Sequence, residues 1–470
     1  MSEAIDRPPQ EIIDEGVEDT GGLGGHPAGL TTLFFAELWE RFSYYGMRAI
    51  LVLYMVALPA EGGLGFDTKR AASIYGTYTM SVYLTALPGG LVADKWLGAR
   101  LAVLLGGVVI ACGHFTMVFQ STNTLYAGMA LIAIGTGLLK PNISAMVGGL
   151  YRENDPRRDS GFSLFYMGIN IGAVLAPLVC GYLAQSQGFK SFLAAQGFDP
   201  AASWHWAFGA AGVGMVVGLL VFVLQGGRLR QAERRMQKQG AKEEKAVGGA
   251  QQKLTSGDWK RIGVIFVLFF FTMLFWAAYE QKGASLNLFA RDLVNTQVFG
   301  FSFPSSWLQS LTPLYVIMLA PLFSVLWIRM GDRQPSIPAK FMLGMLFIGL
   351  AYLLFMVPAA WLTAEGKVSP LWLVGLYFLE VVGEMCLSPV GLSAVTKLSP
   401  LKLVGIMMGV WFLAASLGSK LAGYLSGFFV ANDPSTLVRL YGGIAVGLLV
   451  ATALLALLIP TLRRMMGHVR

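Results

Sequence analysis

Twelve apolar stretches, each about as long as the twenty residues a helix needs to cross the hydrocarbon core of a bilayer, dominate this chain of 470 residues. They cover 31–58, 72–93, 101–119, 125–149, 160–184, 205–225, 261–281, 306–328, 340–358, 370–395, 403–430 and 437–460. Each is too long for a strand and too apolar for the surface of a water-soluble domain. In lipid the backbone must satisfy its own hydrogen bonds, which a helix does within one segment. An all-α polytopic membrane protein with twelve transmembrane helices follows. The remaining composition agrees: only 13% of residues are charged, against about a quarter in soluble domains. That is too little to coat a soluble surface of this size, and it excludes an ordinary cytosolic enzyme and a disordered chain alike.

One segment differs in kind. Residues 226–260 contain no apolar run and nine Lys or Arg, so they cannot cross a bilayer. They read as a solvated linker between two six-helix bundles at 31–225 and 261–462, a pattern expected of a duplicated transporter. Residues 1–30 hold seven acids and one arginine without an apolar core, so they read as a soluble, disordered tail and not a signal peptide; 463–470 form a second tail. Of the 35 Lys and Arg, 24 fall in tails and loops on the side that holds both termini and 7 in loops on the other side. This excess puts both termini in the cytoplasm, and it makes the net charge of +8 topological, with no nucleic-acid partner implied. The cysteines (Cys112, Cys180, Cys386) and histidines (His26, His114, His205, His468) build no metal or redox spacing. No metal or cofactor is expected, and without a nucleophile–base pair neither is an enzyme.

The informative residues are charges inside apolar spans. A mid-span Asp, Lys or Arg costs about 2.5–3.5 kcal/mol to insert. Span 1 carries Glu37, Glu40, Arg41 and Arg48, a burden on the order of 10 kcal/mol on that scale. At 100° per residue, Glu37, Arg41, Tyr44 and Arg48 fall on one stripe, with Glu40 and Tyr45 at its edges. Such a stripe is tolerable only against a polar cavity, and it spreads over too many turns for snorkelling. Lys140, Glu280, Glu380, Glu384 and Lys420 are further charges within or at the ends of spans. Lys140 precedes Pro141, and Ser388-Pro389 follows Glu384; each proline frees a backbone carbonyl and can bend its helix. Lys420 either snorkels or joins the polar set, and the sequence assigns Glu380 no role. A channel does not suit a pattern in which opposite charges are divided between two bundles.

The loop Gly90-Leu-Val-Ala-Asp94-Lys95-Trp-Leu-Gly98-Ala-Arg100, echoed by Gly331-Asp332-Arg333 after span 8, resembles the loop 2–3 motif of the major facilitator superfamily. Glu37-Leu-Trp-Glu40-Arg41-Phe42-Ser-Tyr44-Tyr45-Gly46 resembles the ExxERFxYYG motif of the proton-dependent oligopeptide transporter family, a branch of that superfamily. Phe165-Tyr166 through Asn170 and Gly172, Gly135 through Lys140-Pro141-Asn142, Phe275-Trp276 with Glu280-Gln281, Gly383-Glu384 through Ser393, and Met408 through Trp411-Phe412 match further patterns of the family in order.

The resemblance implies a major facilitator fold and proton-coupled symport of di- and tripeptides into the cell by alternating access, in the cell membrane, by a protein functional as a monomer. By the same resemblance Arg48 and Lys140 take the peptide carboxylate, and Glu384, with Asn170 beside the backbone, takes the ammonium. Tyr45, Tyr83, Trp276, Trp411 and Phe412 wall the pocket. Proton coupling falls to Glu280, paired with Arg48, and to Glu37 and Glu40 near Arg41 and Lys140. Two departures stand out. Residues 226–260 leave no room for the two extra helices many bacterial members carry, and Thr312 stands where the family usually has asparagine. The alternative is a proton-coupled transporter of the same fold for another small solute such as nitrate, an amino acid or a drug.

Overall fold

The computed structural model describes residues 19–152, 155–236, 254–298, 300–361, 366–400, 403–431 and 433–467. All twelve spans are helical. Span 1 is Ala28–Val56, span 2 Thr68–Leu84 continued by Ala86–Val92, span 3 Ala99–Thr116, span 4 Thr122–Gly149, span 5 Arg158–Gln185 and span 6 Ser203–Leu224. Span 7 is Ser256–Tyr279, span 8 Leu311–Met330, span 9 Ile337–Trp361, span 10 Leu371–Leu398, span 11 Val404–Ser426 and span 12 Pro434–Met466. Among the described residues, ten helices are long and apolar enough to cross a bilayer by length and composition. Spans 1 and 2 fall outside that set for local reasons: span 1 carries four charges, and the first segment of span 2 has only 17 residues.

Packing follows the duplication. Span 1 lies against spans 5 and 6, and span 3 against spans 4 and 6. In the other half span 7 lies against spans 11 and 12, and span 9 against spans 10 and 12. The halves meet mainly through span 2 on span 11 and span 5 on span 8, pairs that exchange places when the halves are swapped. Span 2 and span 11 approach at backbone distance: a Cβ on Gly76 would lie 2.8 Å from Gly423 Cα. Small residues at such a crossing let membrane helices pack closely. Gly98 and Gly331, in the two equivalent loops, both take positive φ, +73° and +49°.

A seam of hydrogen bonds closes the face opposite the termini. Asn287 Nδ2 and Gln309 Nε2 donate to the Ala49 carbonyl at 2.8 and 3.1 Å. Trp307 Nε1 donates to Leu178 O at 2.9 Å, and Ser310 Oγ to Val174 O at 2.7 Å. Deeper between the halves, Ser416 Oγ donates to Met80 O at 2.9 Å. In each case a side chain of the second half caps a main-chain carbonyl of the first. Lys420 Nζ adds a bond to Thr77 Oγ1 at 2.6 Å, so it works in the seam between spans 2 and 11. No comparable packing joins spans 4 and 5 to spans 10 and 11 among the described residues. The bonds between the halves are therefore concentrated toward the face opposite the termini.

The connecting segments depart from expectation. The amino-terminal tail is ordered from Asp19 onward: its carboxylate accepts from Ala28 N at 2.9 Å, and His26 is buried against Tyr151 at 2.9 Å. Only 1–18 of that tail lie outside the described residues. Nor is the linker solvated throughout. Leu229 and Ala232 are fully buried against the first half, and Arg100 pairs with Glu233 at 3.5 Å. Residues 256–260 already belong to span 7, and 237–253, like 468–470 of the final tail and with them His468, lie outside the described residues. On the far face, the short helices Gln187–Ala195 and Ser285–Leu293 and a hairpin pairing Gln297–Val298 with Phe301–Ser302 carry no spanning-length signal in the sequence.

Candidate functional site

The stripe on span 1 faces inward. Glu37, Glu40, Arg41 and Arg48 are all at most 5% exposed, which rules out an interfacial belt. Arg41 gathers both acids. Its guanidinium donates to both oxygens of Glu40, one bond being 2.7 Å, and lies 3.2 Å from Glu37. Its charge also sits 5.2 Å from the centre of the Tyr44 ring. One oxygen of Glu37 remains without a partner among the described residues. Lys140 stands apart from this cluster, with its ammonium 4.9 Å from the centre of the Tyr83 ring. Its expected partnership with Glu37 or Glu40 is thus an electrostatic neighbourhood and not a direct pair.

Arg48 crosses to the other half. It donates to Glu280 at the end of span 7 and, through Nε, to Tyr75 Oη on span 2 at 2.6 Å. The chain makes room for this node at Gly283: a Cβ there would lie 1.7 Å from the Tyr75 hydroxyl. The 3-10 turn Glu280–Gly283 that ends span 7 thereby brings an acid of the second half, a cation of the first and a phenol of span 2 to one point.

Below this node lies a cavity of about 130 Å³ between the halves. Tyr45, Arg48, Tyr83 and Asn170 line it from the first half; Trp276, Glu280 and Glu384 line it from the second. Tyr279 donates its hydroxyl to Glu384 and packs edge-on to Trp276 at 5.1 Å. Asn170 donates to the Tyr166 carbonyl at 2.9 Å within its own helix, which leaves its amide oxygen for a ligand. Thr312 lines the same wall, with a buried hydroxyl that has no partner among the described residues. Its lining carries charge from both halves, Arg48 from the first and Glu280 and Glu384 from the second.

Two expected wall residues are not brought there. Trp411 is buried within the second half, 5.9 Å from the Phe341 ring and against Gly391. Phe412 is 41% exposed, and neither lines the cavity. The reason is helical phase: span 11 turns Gly409, Ser416 and Gly423 toward span 2, which swings Trp411 to the interior of its own half. Lys282, Tyr166, Tyr279 and Gln309 line the cavity and were missed. Lys282 reads in sequence as a loop cation, yet the 3-10 turn folds it back until its ammonium lies 3.2 Å from the centre of the Tyr279 ring. Its spacing of three from Tyr279 was the available signal.

Comparison with known proteins identifies the family. The family model described as PTR2, POT family, matches residues 100–243 and 228–439. The chain is 37% identical to the peptide transporter YePEPT of Yersinia enterocolitica subsp. palearctica over 94% of its own length and 96% of that protein's. It is 34% identical to a di-/tripeptide transporter of Lactococcus lactis subsp. cremoris, over 95% and 98% of the two chains. Among solved structures, a mutant of peptide transporter POT in complex with alafosfalin superimposes with a TM-score of 0.85 at 38% identity, covering 98% of this chain and 100% of that one. A POT family transporter in complex with 5-aminolevulinic acid gives 0.83 at 31%, covering 96% and 99%.

Proposed function

Because this chain belongs to the POT family, and is therefore a transporter in a membrane and not an enzyme, we propose that it moves di- and tripeptides into the cell together with protons. The observation that carries this reading is the divided polarity of the cavity. Arg48 on the first half and Glu384 on the second are lining residues of one space. A short peptide is a zwitterion with invariant ends and variable side chains. Cations on one bundle and an acid on the other hold both ends and leave the middle unread. Arg48, with Lys140 behind Tyr83, takes the carboxylate; Glu384 takes the ammonium; Asn170 attends the backbone; Tyr45, Tyr83 and Trp276 form the walls.

The two bundles, 31–225 and 261–462, alternate about this cavity in a single chain, with both termini in the cytoplasm of a cell whose plasma membrane they span. The concentration of inter-half bonds on the face opposite the termini supports reading the described state as inward-facing. The proton gradient drives the cycle without a cofactor: each proton entering gains about 2.3 kcal/mol per 100 mV and about 1.4 kcal/mol per pH unit. Glu280 carries the coupled proton by exchanging it for the ion pair with Arg48, and the cluster of Glu37, Glu40 and Arg41 is the second coupling element. Thr312 supports one alternative, a different small solute, because its free hydroxyl replaces the amide usual in the family. The related structure with 5-aminolevulinic acid makes an amino-acid-like solute the natural comparison.

The deciding experiment is paired on one proteoliposome preparation. Glu280→Gln holds the side chain in a neutral form. Exchange of labelled dialanine between equal concentrations should continue, whereas uphill uptake under an inward proton gradient should be lost. Normal uphill uptake would move the proton to Glu37 and Glu40. Failure of the parent protein to exchange any dipeptide, with amino-acid exchange intact, would favour the alternative.

A further inference from the structure

One acid in the second half belongs neither to the ion pairs nor to the cavity wall. Glu380 lies four residues before Glu384 on span 10, on the same helix face, and is 0% exposed. Neither of its oxygens has a hydrogen-bond partner among the described residues. The charges that act on it are Lys282, of opposite sign, and Glu384 and Glu280, of like sign. A carboxylate buried without donors, beside two further acids, is heavily penalised relative to a neutral carboxyl.

The phenols around it sharpen the point. Tyr352 on span 9 lies beside Glu380, but its hydroxyl donates to the Ala278 carbonyl at 2.8 Å. Tyr279 donates to Glu384, and Tyr377, on the same helix as Glu380, is buried with its hydroxyl unpaired among the described residues. Lys282 is the remaining group in play. It lines the cavity and rests over the ring of Tyr279, held there by a contact weaker than an ion pair.

We propose that Glu380 is a proton-binding site of the second half, whose proton leaves when the Lys282 ammonium quits the Tyr279 ring and pairs with the carboxylate. The exchange balances: a neutral carboxyl and a ring-bound ammonium become an ion pair, and one proton passes to the water of the cavity. In the inward-facing reading the proton then leaves on the same side as the transported solute. This site is separate from the pair of Arg48 and Glu280, and it adds one proton per cycle to theirs.

Its role in coupling rests on the transport reading above; its protonation does not, and the test separates the two. Infrared spectra of the purified full chain, titrated with base, should contain a protonated-carboxyl C=O band that disappears in Glu380→Gln. In Lys282→Met the band should persist at a pH where it has bleached in the parent. If Glu380→Gln fails to fold, Glu380→Asp assigns the band by shifting it. Spectra that no Glu380 substitution alters, or bleaching indifferent to Lys282→Met, overturn the proposal. In proteoliposomes with a one-unit pH gradient and no membrane potential, Glu380→Gln should lower the steady-state accumulation of labelled dialanine about tenfold, the equivalent of one proton. An unchanged ratio overturns the coupling role. Absence of accumulation by the parent would strike the transport reading, while the infrared result would still decide whether Glu380 binds the proton.

Discussion

At the scale of single residues, chemistry in the cavity separates into groups that are already partnered and groups that wait for a ligand. Glu384 has one donor, the Tyr279 hydroxyl, and capacity for more. Glu384→Gln removes the charge that we propose matches a peptide ammonium. Loss of such a buried pair costs about 2 kcal/mol or more, roughly thirtyfold in Kd, measurable by calorimetry with dialanine. Acetylated dialanine, which lacks the ammonium, should be indifferent to the change; an equal loss for both peptides would remove Glu384 from the site. Thr312 has an unpaired buried hydroxyl on the same wall. Thr312→Val keeps its shape and deletes only that group. If a peptide supplies the missing partner, affinity falls about fivefold, while thermal stability of the empty protein stays level or rises. A fall in stability with affinity intact would mean that the hydroxyl serves the fold.

At the scale of helices, glycine decides how the halves close. Gly76 on span 2 and Gly423 on span 11 meet backbone to backbone, so Gly76→Leu should wedge the far face open. A cysteine replacing Ala173, on the cavity wall, in a background without the three native cysteines, should then react several times faster with an impermeant maleimide added from outside the cell. Unchanged labelling would mean that the two spans separate at no point in the cycle. This crossing also marks how far sequence reasoning reached. The twelve spans were legible from apolar length and the inward stripe on span 1 from the need of buried charge for a reason, while the cross-half pair of Arg48 with Glu280 came from the family resemblance. Trp411 was not, because motif matching carries no helical phase, and the phase of span 11 is set by the glycines that dock it on span 2. Lys282 was counted with the loops because a 3-10 turn that folds a cation back over an aromatic ring leaves no hydropathy signal.

At the scale of the molecule, the distribution of Lys and Arg predicts which face meets the cytoplasm. In intact cells an impermeant thiol reagent should modify a cysteine at Ser369, in the loop between spans 9 and 10, and spare one at Ser256, where span 7 begins; the reverse pattern would invert the orientation. The far face carries a second consequence, one of heredity. Its lips are held by side chains of the second half that grip main-chain carbonyls of the first, at Ala49, Val174 and Leu178. A codon change can delete Asn287, Gln309, Trp307 or Ser310, but no codon change deletes a carbonyl. These particular grips are thus written in one half of a duplicated chain, beside the contribution that Gln185 of the first half makes through Ser305 and Ser306. Lineages that retune how readily these grips let go have few places to do so, and those places lie between residues 287 and 310.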